Sequence, residues 1–287
     1  MTSPTDPAPE SAPKPSTDAN PAERAARAER TARAEPAEKP GRPRPGIEVW
    51  VVLGVTFGQS AVYAILRLTE RLTRPEALAR QQATMNSSAV PERPWLDLLY
   101  QIANIGFGLM PVVLVLYLLH LSHGRPFATI GFDLRRPARD LLVAVGLAAA
   151  IGIPGLGVYL IARELGLSTQ IVAANLAENW WTIPVLIGAA FMNGAAEEVV
   201  MVGWLFTRLR QLQWRWPVVI ITSALIRGSY HLYQGPGMAV GNVLMGIVLG
   251  LVYWRWRRVM PLVICHTLLD IFAFVGYALL APHLSWL

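Results

Sequence analysis

Seven stretches of roughly 20 apolar residues dominate the chain, at about 47–67, 95–119, 141–163, 180–206, 216–234, 237–254 and 259–281. An α-helix rises about 1.5 Å per residue and a hydrocarbon layer is about 30 Å thick, so a stretch of this length can cross a bilayer. Composition agrees: 53% of residues are hydrophobic, only 15% are charged, and the mean hydropathy is +0.38. The expected fold class is therefore all-α, a polytopic transmembrane helix bundle of about 7–8 spans with a disordered N-terminal tail. The count is open by one because the fourth stretch is long enough to break near Asn193 and Gly194. The amphipathic segment 73–84 is expected to lie along the interface rather than cross it.

Residues 1–46 are Pro, Ala, Glu and Arg with almost no large apolar side chains. Such a segment buries too little surface to offset chain entropy, and disorder is the expectation. It contains no apolar core followed by a small-residue cleavage site, so it does not read as a secretory signal peptide. The expected organisation is a cytoplasmic tail (1–46), N-terminal spans and loops (47–179) and a chemistry-bearing membrane region (180–287).

The net charge of +6 does not point to nucleic acid, because the basic residues lie at the ends of apolar stretches, as in a membrane anchor. Arginines follow spans two, four and six, whereas no Lys or Arg separates spans five and six or follows span seven. The positive-inside tendency then puts the even-numbered loops and the N-terminus in the cytoplasm. The expected location is an integral membrane protein of a bacterial plasma membrane. One loop disagrees: the segment between spans one and two carries Arg67, Arg71, Arg74, Arg80 and Arg93. No internal repeat suggests a transporter built from two halves. The single cysteine, Cys265, excludes an intrachain disulfide and a multi-cysteine zinc site, and its expected role is packing.

Within 180–206 the only ionised side chains are the adjacent Glu197 and Glu198, about 16 Å along a helix from Arg208 and so near mid-bilayer. Each charge there costs about 2.5–3.5 kcal/mol, so a pair requires partners and a purpose. Later stretches supply the partners. Arg227 and His231 are four apart on span five, and His266 and Asp270 repeat that spacing on span seven. A single histidine in an apolar run is more often a satisfied core residue than a catalyst. Two histidines, three carboxylates and an arginine on neighbouring spans are hard to attribute to packing, and a water-filled cavity lined by them is the expectation. Gly194, Ala195, Ala196 and Gly203 surround the glutamates and permit close helix approach. Asn242 on span six is expected either to reach the same cavity or to bond a neighbouring helix.

Three chemistries fit this inventory unequally. Serine nucleophile chemistry has weak support, since Ser223 and Ser229 lie near His231 but no Gly-x-Ser-x-Gly turn is present. A His-Glu-x-x-His zinc site is absent, although Glu197, His231 and His266 are a conceivable three-ligand Zn2+ set. Metal-free hydrolysis by a carboxylate that activates water, with neighbouring donors on the oxyanion, suits the residues best. Burial makes a glutamate a better base, while Arg227 nearby holds one of the two charged.

Residues from about 180 to 277 resemble the CPBP family of intramembrane proteases, also called Abi or CAAX-protease-like, relatives of the Ras-converting CAAX endopeptidase. Its three motifs, Glu-Glu-x-x-x-Arg, Phe-x-x-x-His and His-x-x-x-Asn/Asp, appear in the family's order. They read Glu197-Glu198-Val199-Val200-Met201-Val202, Arg227-Gly228-Ser229-Tyr230-His231 and His266-Thr267-Leu268-Leu269-Asp270. The resemblance implies an endopeptidase acting on membrane-associated peptides or proteins. By it, Glu197 is the general base that holds the attacking water with His231. His266 and Asp270 polarise the scissile carbonyl, and Glu198 orients the site from behind. It also implies a mechanism without a metal, with Zn2+ as the alternative.

Two positions depart from the pattern. Val202 stands where the motif has arginine, and Arg227 stands where it has phenylalanine. The expectation is compensation, with Arg227 supplying the positive charge lost at 202. The alternative function is a non-catalytic membrane protein for bacteriocin self-immunity or scaffolding.

Overall fold

The computed structural model describes residues 45–283. All but Pro45 and Gly46 of the expected tail, and the end of the last region, lie outside the described residues. The chain is a helical membrane bundle, with one pair of three-residue strands among the described residues.

Each apolar stretch becomes helix, usually extended by polar residues at its ends. The first runs through α1 (Pro45–Leu53), a π-helical segment (Gly54–Gly58) and α2 (Gln59–Leu72). The second is α3 (Pro94–Gly108) and α4 (Met110–His123), and the short α5 (Pro126–Ile130) follows. The third is α6 (Pro137–Glu164). The fourth is α7 (Thr182–Glu197), a π-helical segment (Glu198–Trp204) and α8 (Leu205–Gln211). The fifth is α9 (Trp216–Tyr230), the sixth α10 (Pro236–Trp256) and the seventh α11 (Met260–Leu280). Six of these are long and apolar enough to cross a membrane by themselves. The fifth stretch yields only 15 helical residues, about 22 Å, before a 3₁₀ turn at Leu232–Gln234.

Two local expectations are corrected. The fourth span does not break at Asn193 and Gly194. Its irregularity begins at Glu198, where one turn widens into a π segment whose seven residues are all buried. Hydroxyls from neighbouring positions take two of the segment's carbonyls: Ser223 Oγ donates to Met201 O at 2.8 Å and Thr207 Oγ1 to Gly203 O at 2.7 Å. Such partners stabilise a backbone whose regular bonding pattern is shifted. Segment 73–84 is not an interfacial helix but a turn, a 3₁₀ turn (Leu78–Arg80) and strand β1 (Gln82–Thr84). Pro75 and the shortness of the apolar pattern disfavour a helix nucleus there. The buried Gln81 side chain donates instead to the carbonyls of Arg71 and Glu76.

Strand β1 pairs in parallel with β2 (Gln170–Val172), in the register Gln82 with Gln170 and Thr84 with Val172. The arginine-bearing loop after the first span therefore packs against the loop after the third. Thr169 N–H donates to Gln234 O at 2.9 Å, which brings the turn after α9 to the same end. The arginine-rich loops gather at the other end. There Val259 and Met260 N–H donate to the carbonyls of Ile130 and Gly131, and Arg258 bonds Asp133 and Asp140. Gly131 has φ +66°, and a Cβ there would meet Arg258 Cα at 2.7 Å, so this docked loop requires glycine.

The fourth span is central, with 61% of its apolar window buried against 11–33% for the others. It packs chiefly on α11, while α9 packs on α10. Gly194 makes the first contact possible: a Cβ there would lie 2.7 Å from Thr267 Oγ1 and 3.1 Å from Val263 O. Large apolar side chains such as Trp50, Phe107, Leu142, Ile153 and Phe272 point outward, as expected of lipid-facing surfaces.

Candidate active site

The fourth, fifth and seventh spans bring their charged residues together around one guanidinium. Arg227, in the last turn of α9 and 1% exposed, donates from Nη1 to Glu197 Oε2 at 3.1 Å and from Nη2 to Glu198 Oε1 at 2.7 Å. Adjacent residues on a helix point about 100° apart, so one planar fork reaches both carboxylates only because it approaches between them. Gly228, the next residue, lets α9 come close to α10: a Cβ there would sit 2.9 Å from Ala239 O.

The two glutamates differ in access. Glu198 is sealed, at 0% side-chain exposure, and its Oε1 also accepts from His266 Nδ1 at 2.8 Å. Its Oε2 has no hydrogen-bond partner. Glu197 keeps 12% exposure, and its Oε2 accepts from both Arg227 and Tyr230 Oη, the latter at 2.9 Å. Tyr230 is in turn stacked on Phe57 of the first span, with ring centroids 4.8 Å apart. Glu197 Oε1 accepts no hydrogen bond from the described residues and is the carboxylate oxygen left to hold a water.

His231 follows α9 directly, and its Nδ1 lies 3.0 Å from Arg227 O. A carbonyl only accepts, so Nδ1 carries a proton, which leaves the Nε2 lone pair of the neutral ring available as an acceptor. His266 Nδ1 donates to Glu198 by the same reasoning. Its Nε2 is 3.9 Å from Asp270 Oδ1, beyond hydrogen-bond range. Asp270 Oδ2 accepts from Asn193 Nδ2 at 3.0 Å.

Glu197, Glu198, Arg227 and His266 thus form one hydrogen-bonded cluster, with His231 joined to it through the Arg227 backbone and Asp270 beside it, 3.9 Å from His266. Asn242 takes neither expected role; its amide donates to Met238 O, one turn back on its own helix. Ser223 and Ser229 both donate to backbone carbonyls, of Met201 and Ile226. Two contributors went unassigned in the sequence. Asn193 lies four residues before Glu197, a spacing that puts polar side chains on one helix face and signals a shared site. Tyr230 lies one residue before His231, and its bond to Glu197 depends on the way α9 ends.

A guanidinium lies between the two carboxylates, while His266 Nδ1 bonds Glu198 and His231 Nδ1 a carbonyl, which leaves the Nε2 atoms of both rings free of hydrogen bonds to the described residues. Among the described residues no three His, Cys, Asp or Glu side chains are grouped as a metal site requires.

Residues 179–272 match the model of the family described as type II CAAX prenyl endopeptidase Rce1-like. Comparison with curated proteins and with solved structures gave no match. The matched region holds α7, the buried π segment and α9, and runs through Asp270 on α11. Over this stretch the chain is similar to the CAAX-protease-like family.

Proposed function

We propose that this protein is an intramembrane endopeptidase that cleaves membrane-associated peptide substrates with a water activated by Glu197 and His231, without a metal ion. One observation carries the reading: of two adjacent glutamates, each with one unbonded carboxylate oxygen, only Glu197 is accessible. Glu198 is consumed in holding Arg227 and His266.

In the proposed reaction, water is held by Glu197 Oε1 and His231 Nε2. As its oxygen attacks the scissile carbonyl carbon, a water proton passes to Glu197 and the carbonyl electron pair moves onto oxygen. His266 Nε2, once it carries a proton, and the second N–H of the Asn193 amide are the donors for that oxyanion, with Glu198 orienting His266 and Asp270 orienting Asn193. Collapse of the intermediate expels the amine, which takes the proton from Glu197. Arg227 supplies the positive charge that the family motif carries at position 202. The guanidinium between the carboxylates supports the metal-free form of this reaction, because a bound cation there would face a fixed like charge.

The non-catalytic reading is favoured by one feature: Arg227 engages both glutamates, so the cluster also works as a closed structural ion-pair network. The two readings part on a cleavage assay of purified full-length protein with a quenched fluorescent library of membrane-anchored peptides. The protease reading expects cleavage that survives a chelator and disappears in Glu197→Gln. Cleavage by Glu197→Gln at the wild-type rate would overturn it, and chelator-sensitive cleavage would overturn its metal-free form.

A further inference from the structure

A cavity of about 470 Å³ opens at the arginine-rich end of the bundle, away from the glutamates. Its walls include Arg210 and Gln211 of α8, Gln213, Trp216 at the start of α9, Tyr253 of α10, and Arg257, which caps α10. The volume is in the usual range for a small-molecule site. Both arginines flank one indole: the Arg257 guanidinium carbon lies 3.9 Å from the Trp216 ring centroid and that of Arg210 5.1 Å. Each spends one N–H on a nearby carbonyl, Arg210 on Trp214 O and Arg257 on Trp254 O, and neither has an ion-pair partner among the described residues. Two guanidinium groups with most of their donors unspent therefore converge on a shared aromatic platform.

Two helix ends meet at this cavity. Three non-glycine residues among those described have φ in the left-handed region, and two of them, Gln213 (63°) and Arg257 (54°), line this cavity. Glycine adopts that conformation without strain, whereas a side chain there is held against a steric penalty. Here each follows the end of a helix, Gln213 after α8 and Arg257 after α10, and the left-handed turn closes that helix while setting the side chain at the cavity wall. Trp214, Trp216, Trp254 and Trp256 crowd the same end of the bundle, as tryptophans do at the level of lipid headgroups. Trp216 also opens α9, whose positive dipole end reaches the cavity wall.

We propose that this cavity binds a phosphate oxyanion, supplied by the headgroup of an anionic phospholipid or by free phosphate, through Arg210 and Arg257 with Gln213 as a further donor. The planar forks suit two oxygens of one phosphate, and the neighbouring rings cover its less polar side.

The test is calorimetric titration of the purified full-length protein in detergent with short-chain phosphatidylglycerol, short-chain phosphatidylcholine and inorganic phosphate. Phosphatidylglycerol is expected to bind about tenfold more tightly than phosphatidylcholine. The double variant Arg210→Gln/Arg257→Gln should lose that preference. Arg215→Gln/Arg255→Gln makes the same change of charge with residues outside the cavity walls and should keep it. Inorganic phosphate that binds as tightly as the anionic lipid, and is lost in the same double variant, supports the site and identifies free phosphate as its source. Gln213→Gly suits its backbone angle better, so it should fold at least as well while binding several-fold more weakly. Equal binding of both lipids with no phosphate binding overturns the proposal, as does an equal loss in the Arg215/Arg255 control.

Discussion

Arg227 Nη2 meets Glu198 Oε1 at 2.7 Å, inside the bundle and with both side chains at 1% exposure or less. The residue that departs from the family pattern thus partners a fully buried acid, and Val202, the other departure, is an apolar member of the buried core. Removing one partner of such a pair leaves a buried charge uncompensated, at a cost of about 3–5 kcal/mol. Arg227→Leu is therefore expected to lower the thermal unfolding midpoint and abolish cleavage. Arg227→Leu/Val202→Arg should recover part of both. No recovery in either measurement would count against the charge-swap reading.

Glu197→Gln should separate chemistry from folding. The amide keeps an oxygen for Tyr230 and Arg227 but cannot take a water proton, and a general base is commonly worth about 10²–10⁴ in rate. Cleavage is expected to fall by at least about a hundredfold while the unfolding midpoint moves little. Tyr230→Phe removes only the bond to Glu197 Oε2, so a smaller fall in kcat with little change in KM is expected.

Much of this site was legible because charge is conspicuous in an apolar chain. Glu197, Glu198, Arg227, His266 and Asp270 announced themselves by their cost in the bilayer, and helical spacing gave their shared faces. The link between Arg227 and both glutamates was not legible, because it depends on how α9 seats against the fourth span. The π segment at Glu198–Trp204 was invisible for a related reason: its carbonyls are satisfied by Ser223 and Thr207, and only one of these is local in sequence. The β1–β2 pair joins residues 88 positions apart, Gln82 and Gln170, in strands only three residues long, too short for an alternating pattern to stand out.

Asn193→Ala tests the oxyanion arrangement. It removes the donor to Asp270 Oδ2 and an N–H that could reach the reacting carbonyl. Loss of one oxyanion donor typically costs about 10²–10³ in kcat. The expected result is a fall in kcat of that order with KM nearly unchanged. A rise in KM alone would instead assign Asn193 to substrate binding.

The docked loop at the arginine-rich end should be acid-sensitive. Burial alone would push the Asp133 carboxyl up, but the Arg135 N–H at 3.1 Å and the Arg258 guanidinium at 3.0 Å outweigh it and hold the group below the usual carboxylate range. A group with a depressed folded value contributes stability above its unfolded value, about 3.9, and loses it as pH falls through the folded one. Hydrogen exchange at 131–136 should therefore accelerate below about pH 4 in the wild type. Asp133→Asn should exchange faster at neutral pH and show a flatter acid dependence. Parallel pH profiles would remove Asp133 from the role.

The π segment that carries Glu198 is anchored at its other end by a second buried pair. Glu48 Oε1 accepts from Arg208 Nε at 2.6 Å and from Trp204 Nε1 at 3.2 Å, and Trp204 is the segment's last residue. Arg208 is 2% exposed and also donates to Ser122 Oγ, Gln211 Oε1 and Leu118 O, so its guanidinium ties the first, second and fourth spans together. Glu48→Ala would strand that charge, and about 3–5 kcal/mol of stability should be lost. Replacing both charges, in Glu48→Met/Arg208→Met, should cost less than Glu48→Ala alone, because an apolar pair of similar volume leaves no buried charge. Equilibrium unfolding in mixed micelles measures both. If the double variant is the less stable of the two, the contribution of Arg208 comes from its bonds to the second span, and Glu48 is secondary.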